Sequence, residues 1–312
     1  MRIEANIKDW LLNVGDPSLR YRTLTELLKT PVSDPEVKRA REEIDDSKAV
    51  NSILSKMEPG GYWLQQHPKT KEVIGDGVEY GAFATTHFCL AYLAELGLTQ
   101  KHPKVKSAVE RYLKLQKPDG DWWNHYSCLI GYNIRTFCLL GYRKDRRVQK
   151  AIKYLLNLER WDGGYLCDMH EGKRKKVRSC IRGSAKVLLA FAELPEYKDH
   201  QRVKILVEYF LKRGGLYKSH NLNEVVNKDI DRRTFPIIWR TNAWEILYAL
   251  GKMGYGRDQR LKNAWERLAS QAEKTGEYML DWTPIQCLWK VGRRGEPNPW
   301  VTFYALLAQA SK

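Results

Sequence analysis

Apolar residues recur at helical spacing over long stretches of the chain, Gly and Pro fall between those stretches, and segments of alternating apolar and polar residues are nearly absent. The pattern predicts an all-α protein. Asp16-Pro17 and Ser33-Asp34-Pro35 each pair a capping residue with the proline that opens a helix. Further helices are predicted over about 79–97, 103–117, 126–141, 145–158, 177–194, 199–213, 236–254, 258–273 and 298–311, about eleven in all. They fall into two kinds. Thr85 to Leu96, Arg135 to Leu140, Ser184 to Leu194, Ala243 to Leu250 and Val301 to Ala308 are rich in Ala, Leu, Phe and Cys nearly all round, as buried helices are. Val105 to Leu115, Val148 to Leu156, Val203 to Leu211 and Leu261 to Leu268 oppose an apolar face to a basic one, as outer helices do. An inner ring wrapped by an outer ring satisfies both.

The segments also repeat. After every second helix a Gly is followed two residues later by an aromatic: Gly61 and Trp63, Gly120 and Trp122, Gly163 and Tyr165, Gly215 and Tyr217, Gly276 and Tyr278. Successive aromatics lie 59, 43, 52 and 61 residues apart, the length of a helix hairpin with its loops. Hairpins that cannot bury their apolar faces alone stack on one another.

Gln116 to Trp122 reads Q-x-x-x-G-x-W, Met57 to Trp63 keeps the spacing with Met in place of Gln, and Gln271 to Tyr278 is one residue longer. These strings resemble the QW motif of squalene and hopene cyclases and, more loosely, of protein prenyltransferase β subunits. The resemblance spans roughly residues 50–311 and implies an (α/α)6 toroid, with residues 1–50 adding a helix hairpin to the toroid of residues 51–312, one domain overall. As a physical device the motif reads as a clamp: glutamine bonds helix-end backbone, the indole covers the loop, and Gly permits the turn. It also implies a central cavity for a hydrophobic or phosphorylated substrate of isoprenoid type, worked on, if the chain is catalytic, by a transferase or isomerase. Two departures weigh against a simple carry-over. The nearest string to the D-x-D-D of class II cyclases is Asp229-Ile230-Asp231-Arg232, and the cation in fourth place favours an ionised acid over a proton donor. No Asp-x-Cys of the kind that holds zinc in the prenyltransferases occurs. Instead Cys167, His170 and Cys180 form a candidate zinc set, with Cys128 or Asp168 as a fourth ligand. A plain buried thiol is the alternative for Cys180. Asp229, Asp231, Asp168 and His170 are the candidate acid–base groups, against the reading of loop acids and caps.

Composition sharpens the choice of partner. The 312 residues carry 53 Lys and Arg against 37 Asp and Glu, a net charge of +16, with pI ≈ 9.5. Eleven Trp, 17 Tyr and 7 Phe exclude a solvated coil. No run reaches the roughly 18 apolar residues of a spanning helix, and MRIEANIKDW lacks the apolar stretch of a signal peptide, so the expected compartment is the cytoplasm. Six scattered Cys are expected to be reduced thiols. Aligning the inner helices by their apolar runs places Arg135, Arg182 and Arg240 near helix starts, where their charge adds to converging dipoles and calls for phosphate, diphosphate or carboxylate. The alternative is pairing with a carboxylate such as Asp168, Asp229, Asp231 or Asp281. Trp123, Trp239 and Trp282 are candidates to line the cavity, and His87 and His125 to face it, whereas Trp63 and Trp122 are expected to be motif indoles packed on neighbouring loops. Basic runs such as Lys173 to Lys176 and Arg143 to Arg147 are either a solvated face or a contact for nucleic acid or an anionic membrane surface. Three readings follow: an enzyme on an anionic or hydrophobic small molecule, a non-catalytic module for nucleic acid or polysaccharide, and a subunit that binds a protein partner.

Overall fold

The computed structural model describes residues 3–67, 69–70, 72–74, 82–122, 127–167 and 177–312. Thirteen α-helices occur among the described residues. Six elements form an inner layer: α2 (Pro17–Arg22) with the π turn Thr23–Leu27 that extends it, α5 (Thr86–Glu95), α7 (Ser127–Leu139), α9 (Ile181–Ala192), α11 (Ala243–Lys252) and α13 (Pro299–Ala310). Each helix from α5 to α13 packs on the next, and α13 packs on α2 and its π turn. The circle is closed by Arg22, whose guanidinium reaches Glu95 at 2.9 Å and the Tyr304 hydroxyl at 2.7 Å. Around this ring lie α1 (Ala5–Asn13), α3 (Pro35–Glu42), α4 (Lys48–Leu54), α6 (Pro103–Leu113), α8 (Arg146–Asn157), α10 (Gln201–Leu211) and α12 (Lys262–Ala269). The helical toroid read from the sequence is the fold.

The two kinds of helix separate as their sequences require. Every residue of α5 is buried, whereas α8 buries Val148, Ala151, Ile152 and Leu155 along one stripe. One hydrophobic cluster runs from Ile7 to Ala308. The closest seam is α7 against α9, because Gly131 lacks the Cβ that would stand 2.7 Å from the Lys186 backbone. No helix among the described residues is long and apolar enough to cross a membrane.

Three differences from the sequence reading have local causes. The helices α1 and α4, of nine and seven residues, are too short for a helical period to show in the sequence. The helix expected from 236 begins at Ala243 instead, because Asn242 caps it through the Glu245 N–H and Pro236 lies in a bend before it. Two small antiparallel ribbons, β1 (Gln65–Gln66) with β2 (Val73–Ile74) and β3 (Tyr217–Lys218) with β4 (Asn221–Val225), are too short to show alternation.

The Gly-x-aromatic loops hold the layers together by a common device. Trp63 Nε1, Tyr165 Oη and Tyr278 Oη donate to the carbonyls of Ile53, Leu155 and Leu268, each ten residues earlier at the end of an outer helix. The backbone N–H of the same three residues donates to Thr86, Ser184 and Thr302, in the first turn of the next inner helix. In the loop of Gln116, the amide donates to Gly120 O and Arg147 O, and Trp122 is buried against Tyr112 and Phe137. The aromatics therefore wedge between layers and do not lie over the loops.

Candidate functional site

Inner helices joined through outer ones run parallel, so their starts share one end of the ring and their last turns the other. Glu95, Arg135, Glu193 and Lys252, all late in their helices, meet at the second end: Arg135 pairs with Glu95 and lies 4.0 Å from Glu193, which binds Lys252 at 2.6 Å. This corrects the place expected for Arg135. Arg135 is the ninth residue of the described span of α7, two turns past Ser127, so it belongs to the far end and is buried in a carboxylate network. Burial pushes the Glu95 carboxyl up, but Arg135 and Arg22 pull it down further, and the net shift is downward. A cavity of about 530 Å³ opens here, lined among others by Arg22, Glu26, Glu95, Glu193, Tyr248 and Lys252. The sequence signal for this cluster is charge embedded in helices otherwise apolar all round: Glu95 in α5 and Arg135 in α7.

At the first end, the mouth, five of the predicted residues do come together. Arg182 is the second residue of α9, and Arg240 sits two residues before the Asn242 cap of α11. Both bind Asp229, Arg182 to one oxygen and Arg240 to the other at 3.1 Å, while Arg232 approaches at 3.7 Å. Asp229 is presented by a single 3-10 turn, Lys228–Asp231, pinned by buried Ile230 and capped by Asn227. That turn aims its two acids apart. Asp231 turns to the outer layer, where Arg267 of α12 grips both of its oxygens at 2.6 and 2.7 Å. The guanidinium groups of Arg182 and Arg240 lie over Trp239, at 5.2 and 4.9 Å from its centroid, and Arg240 also over Trp282 at 4.8 Å. Trp282 is fixed by the segment it shares with Asp281. Arg233 holds that carboxylate at 2.9 and 3.0 Å, and Phe235 N–H donates to Trp282 O.

The charge balance of this cluster is unequal. Among the described residues three guanidinium groups share one carboxylate, an excess of two positive charges beside the starts of α9 and α11. Arg182 and Arg240 each keep a buried Nε–H with no acceptor among the described residues. The Arg182 side chain is 37% exposed and Arg240 19%, so both reach solvent.

His87 is in the wall beneath the mouth. It is buried between Phe88 and Tyr132 with Nδ1 3.3 Å from the Tyr112 hydroxyl, and burial drives its imidazole down to about 3. It is a neutral core group and does not face the mouth as expected. Below it the ring axis is filled: Tyr132 Oη donates to Ile237 O at 2.7 Å, and Lys186 pairs with Glu245 inside the core. Trp244 and Tyr304 stack at 4.5 Å, and Phe235 lies 5.4 Å from Trp300.

The thiol group is arranged differently from the expected set. Cys167 meets Cys128, sulfur to sulfur at 3.8 Å, while Cys180 caps α9. Hydrogen bonds from Cys128 and then from Ser127 lower the Cys167 thiol to about 7 against the effect of burial. Asp168, His170, Trp123 and His125 lie outside the described residues, and among the described ones no group of three or more His, Cys, Asp or Glu is placed to hold a metal ion.

No protein-family model matches the chain. Over 82 residues it is 29% identical to the squalene–hopene cyclase of Zymomonas mobilis, a stretch covering 25% of this chain and 12% of that enzyme. The chain thus matches about an eighth of the length of that curated relative. Its fold is similar to that of a polysaccharide lyase, with TM-score 0.54 and 14% identity over 98% of this chain and 96% of the other. It is also similar to a glycosyl hydrolase family 88 protein from Bacteroides vulgatus, with TM-score 0.52 and 14% identity over 95% and 90% of the two chains. At that identity the likeness establishes the architecture alone.

Proposed function

We propose that the mouth of the toroid binds an acidic carbohydrate, with Arg182 and Arg240 taking its carboxylate and Trp239 and Trp282 backing the two guanidinium groups. The observation that carries this reading is the excess, among the described residues, of guanidinium over carboxylate around Asp229, with two buried Nε–H groups that find no acceptor among those residues. A buried donor left unpaired costs roughly 1–3 kcal/mol, a cost that a bound anion relieves. Guanidinium is planar and matches a carboxylate at two points, which favours it over a bare ammonium for this task. Asp229 then serves as an orienting group that keeps two arginines from separate elements on one side of the mouth. Its carboxylate accepts from guanidinium groups, as does that of Asp231 from Arg267, and neither is arranged to protonate an alkene. The fold's likeness to a polysaccharide lyase and a glycosyl hydrolase supports a saccharide as the anion's carrier.

A second reading, an isoprenoid-type diphosphate at the same arginines, is favoured by the sequence similarity to squalene–hopene cyclase. Against it stands the ring axis, where the aromatic side chains that would receive an apolar tail are already stacked on one another. Calorimetric titration separates the readings, using oligogalacturonate, a neutral oligosaccharide of equal length, farnesyl diphosphate and a single-stranded oligonucleotide. Saturable binding of oligogalacturonate that weakens with salt, and none of the neutral sugar, is the expected result. Binding of the diphosphate alone would transfer the site to the second reading. Binding of the oligonucleotide alone, with a steep salt dependence, would make the protein a nucleic-acid binder.

A further inference from the structure

The outer helix α10 runs opposite to its inner neighbours, so its last turn reaches the mouth end of the toroid. A groove of about 540 Å³ opens there, walled by the loop after α8, the segment that enters α9, and the second half of α10. Arg213, just past the end of α10, lines it and is only 8% exposed. Its Nη1 donates to Tyr209 O at 2.6 Å and its guanidinium lies 3.7 Å from the Tyr209 ring centroid, yet no carboxylate pairs with it among the described residues. A buried charge without a counter-ion is costly. Two exposed cations line the same groove, also without a carboxylate partner among the described residues: Lys212, and Arg178, whose Nη1 lies 3.4 Å from His220 Nδ1. The two acids in the wall are engaged by other groups. Asp162 accepts from the Ser179 N–H and hydroxyl, and Glu208 accepts from Arg260 with both oxygens.

The chain itself joins this groove to the mouth. Arg178 and Arg182 stand four residues apart on the segment that enters α9, so their Cα atoms are at most about 14 Å apart, a distance that a few sugar units bridge. One polyanion therefore reaches both the arginines around Asp229 and the cations of the groove. We infer that the groove is a second carboxylate subsite for the acidic carbohydrate, in which Arg178, Lys212 and Arg213 take the acid group of a sugar a few units along from the one held at the mouth. The identity of the carrier rests on the reading of the mouth given above. The subsite itself rests on the unpaired cations of the groove.

The test is calorimetric titration of digalacturonate and decagalacturonate into the full-length wild type and into Arg178→Ala, Lys212→Ala, Arg182→Ala and Lys104→Ala. The last removes the same charge from the start of α6, at the opposite end of the toroid. Arg178 and Lys212 are exposed, so their substitution leaves the core intact. Each of these two variants is expected to bind decagalacturonate roughly 3- to 10-fold more weakly and digalacturonate as the wild type does. Arg182→Ala should weaken both ligands and Lys104→Ala neither. Unchanged decagalacturonate affinity in Arg178→Ala or Lys212→Ala, with Arg182→Ala weakened, would overturn the groove and leave the mouth standing. An equal loss in Lys104→Ala, or an equal loss for digalacturonate, would also overturn it. Loss in the groove variants with Arg182→Ala unchanged would instead overturn the reading of the mouth and keep the groove as the anion site. No binding of decagalacturonate by the wild type would overturn both.

Discussion

Burial holds the His87 imidazole near 3, while in the unfolded chain a histidine titrates near 6.5. Between those values the unfolded state carries the extra proton. Stability therefore falls as the pH falls through that window, by up to about 1.4 kcal/mol per pH unit. His87→Gln should flatten the dependence by close to one proton when urea unfolding is followed from pH 6.5 to 4. An equal slope in both proteins would show that the imidazole is not the buried base. Glu95 adds to acid lability in a lower range, because its folded carboxyl is held below the usual value and loses its stabilisation once protonated. Residues of this sort were only half legible. His87, Glu95, Lys186 and Glu245 stand out in sequence as polar intrusions into apolar helices, yet sequence does not say whether such a group faces a cavity or a partner. Asp229 shows the same limit. Its four-residue neighbourhood drew attention through a known motif, whereas its contacts come from arginines 47 residues upstream and 11 downstream.

Between elements, the seams are where single atoms decide. Ala is a better helix former than Gly by about 1 kcal/mol, but a Cβ on Gly131 would lie 2.7 Å from the backbone of α9, which cannot yield as a side chain would. Gly131→Ala is accordingly expected to destabilise by about 1–3 kcal/mol, the usual range for an overpacked core. A neutral or stabilising result by denaturant unfolding would mean that α7 and α9 are further apart. The same seam region contains the Lys186–Glu245 pair, which joins α9 to α11. Burial pushes the lysine down and the glutamate up, each against the other's attraction. Removing one partner, as in Glu245→Leu, should cost about 3–5 kcal/mol. The double change Lys186→Met with Glu245→Leu should recover much of that loss, since a buried pair often barely outperforms an apolar one. The periodicity of α5 to α13 was readable because burial on all sides or on one side leaves different patterns. The start of α11 was not, because an asparagine cap outweighed an apolar run that continued upstream of it.

At the scale of the whole molecule, parallel inner helices give the ring two chemically distinct ends. Helix starts gather at the mouth, together with guanidinium groups and indoles. The last turns gather around Glu95 and Glu193, where Arg22 closes the circle. Ring architecture could be read from repeating Gly-x-aromatic loops because each loop performs one task, the ten-residue clamp seen at Trp63, Tyr165 and Tyr278. Placing Arg135 with the other two arginines failed for a geometric reason: apolar runs mark burial, which need not begin where the helix begins. The most direct test of the mouth as an anion site is calorimetric titration of oligogalacturonate into the wild type, Arg182→Ala, Arg240→Ala and, as a surface control, Arg260→Ala. A charged hydrogen bond contributes about 1.5–3 kcal/mol, so each of the first two variants should bind roughly 10- to 100-fold more weakly, with Arg260→Ala unchanged. Wild-type affinity in both mouth variants would contradict the assignment.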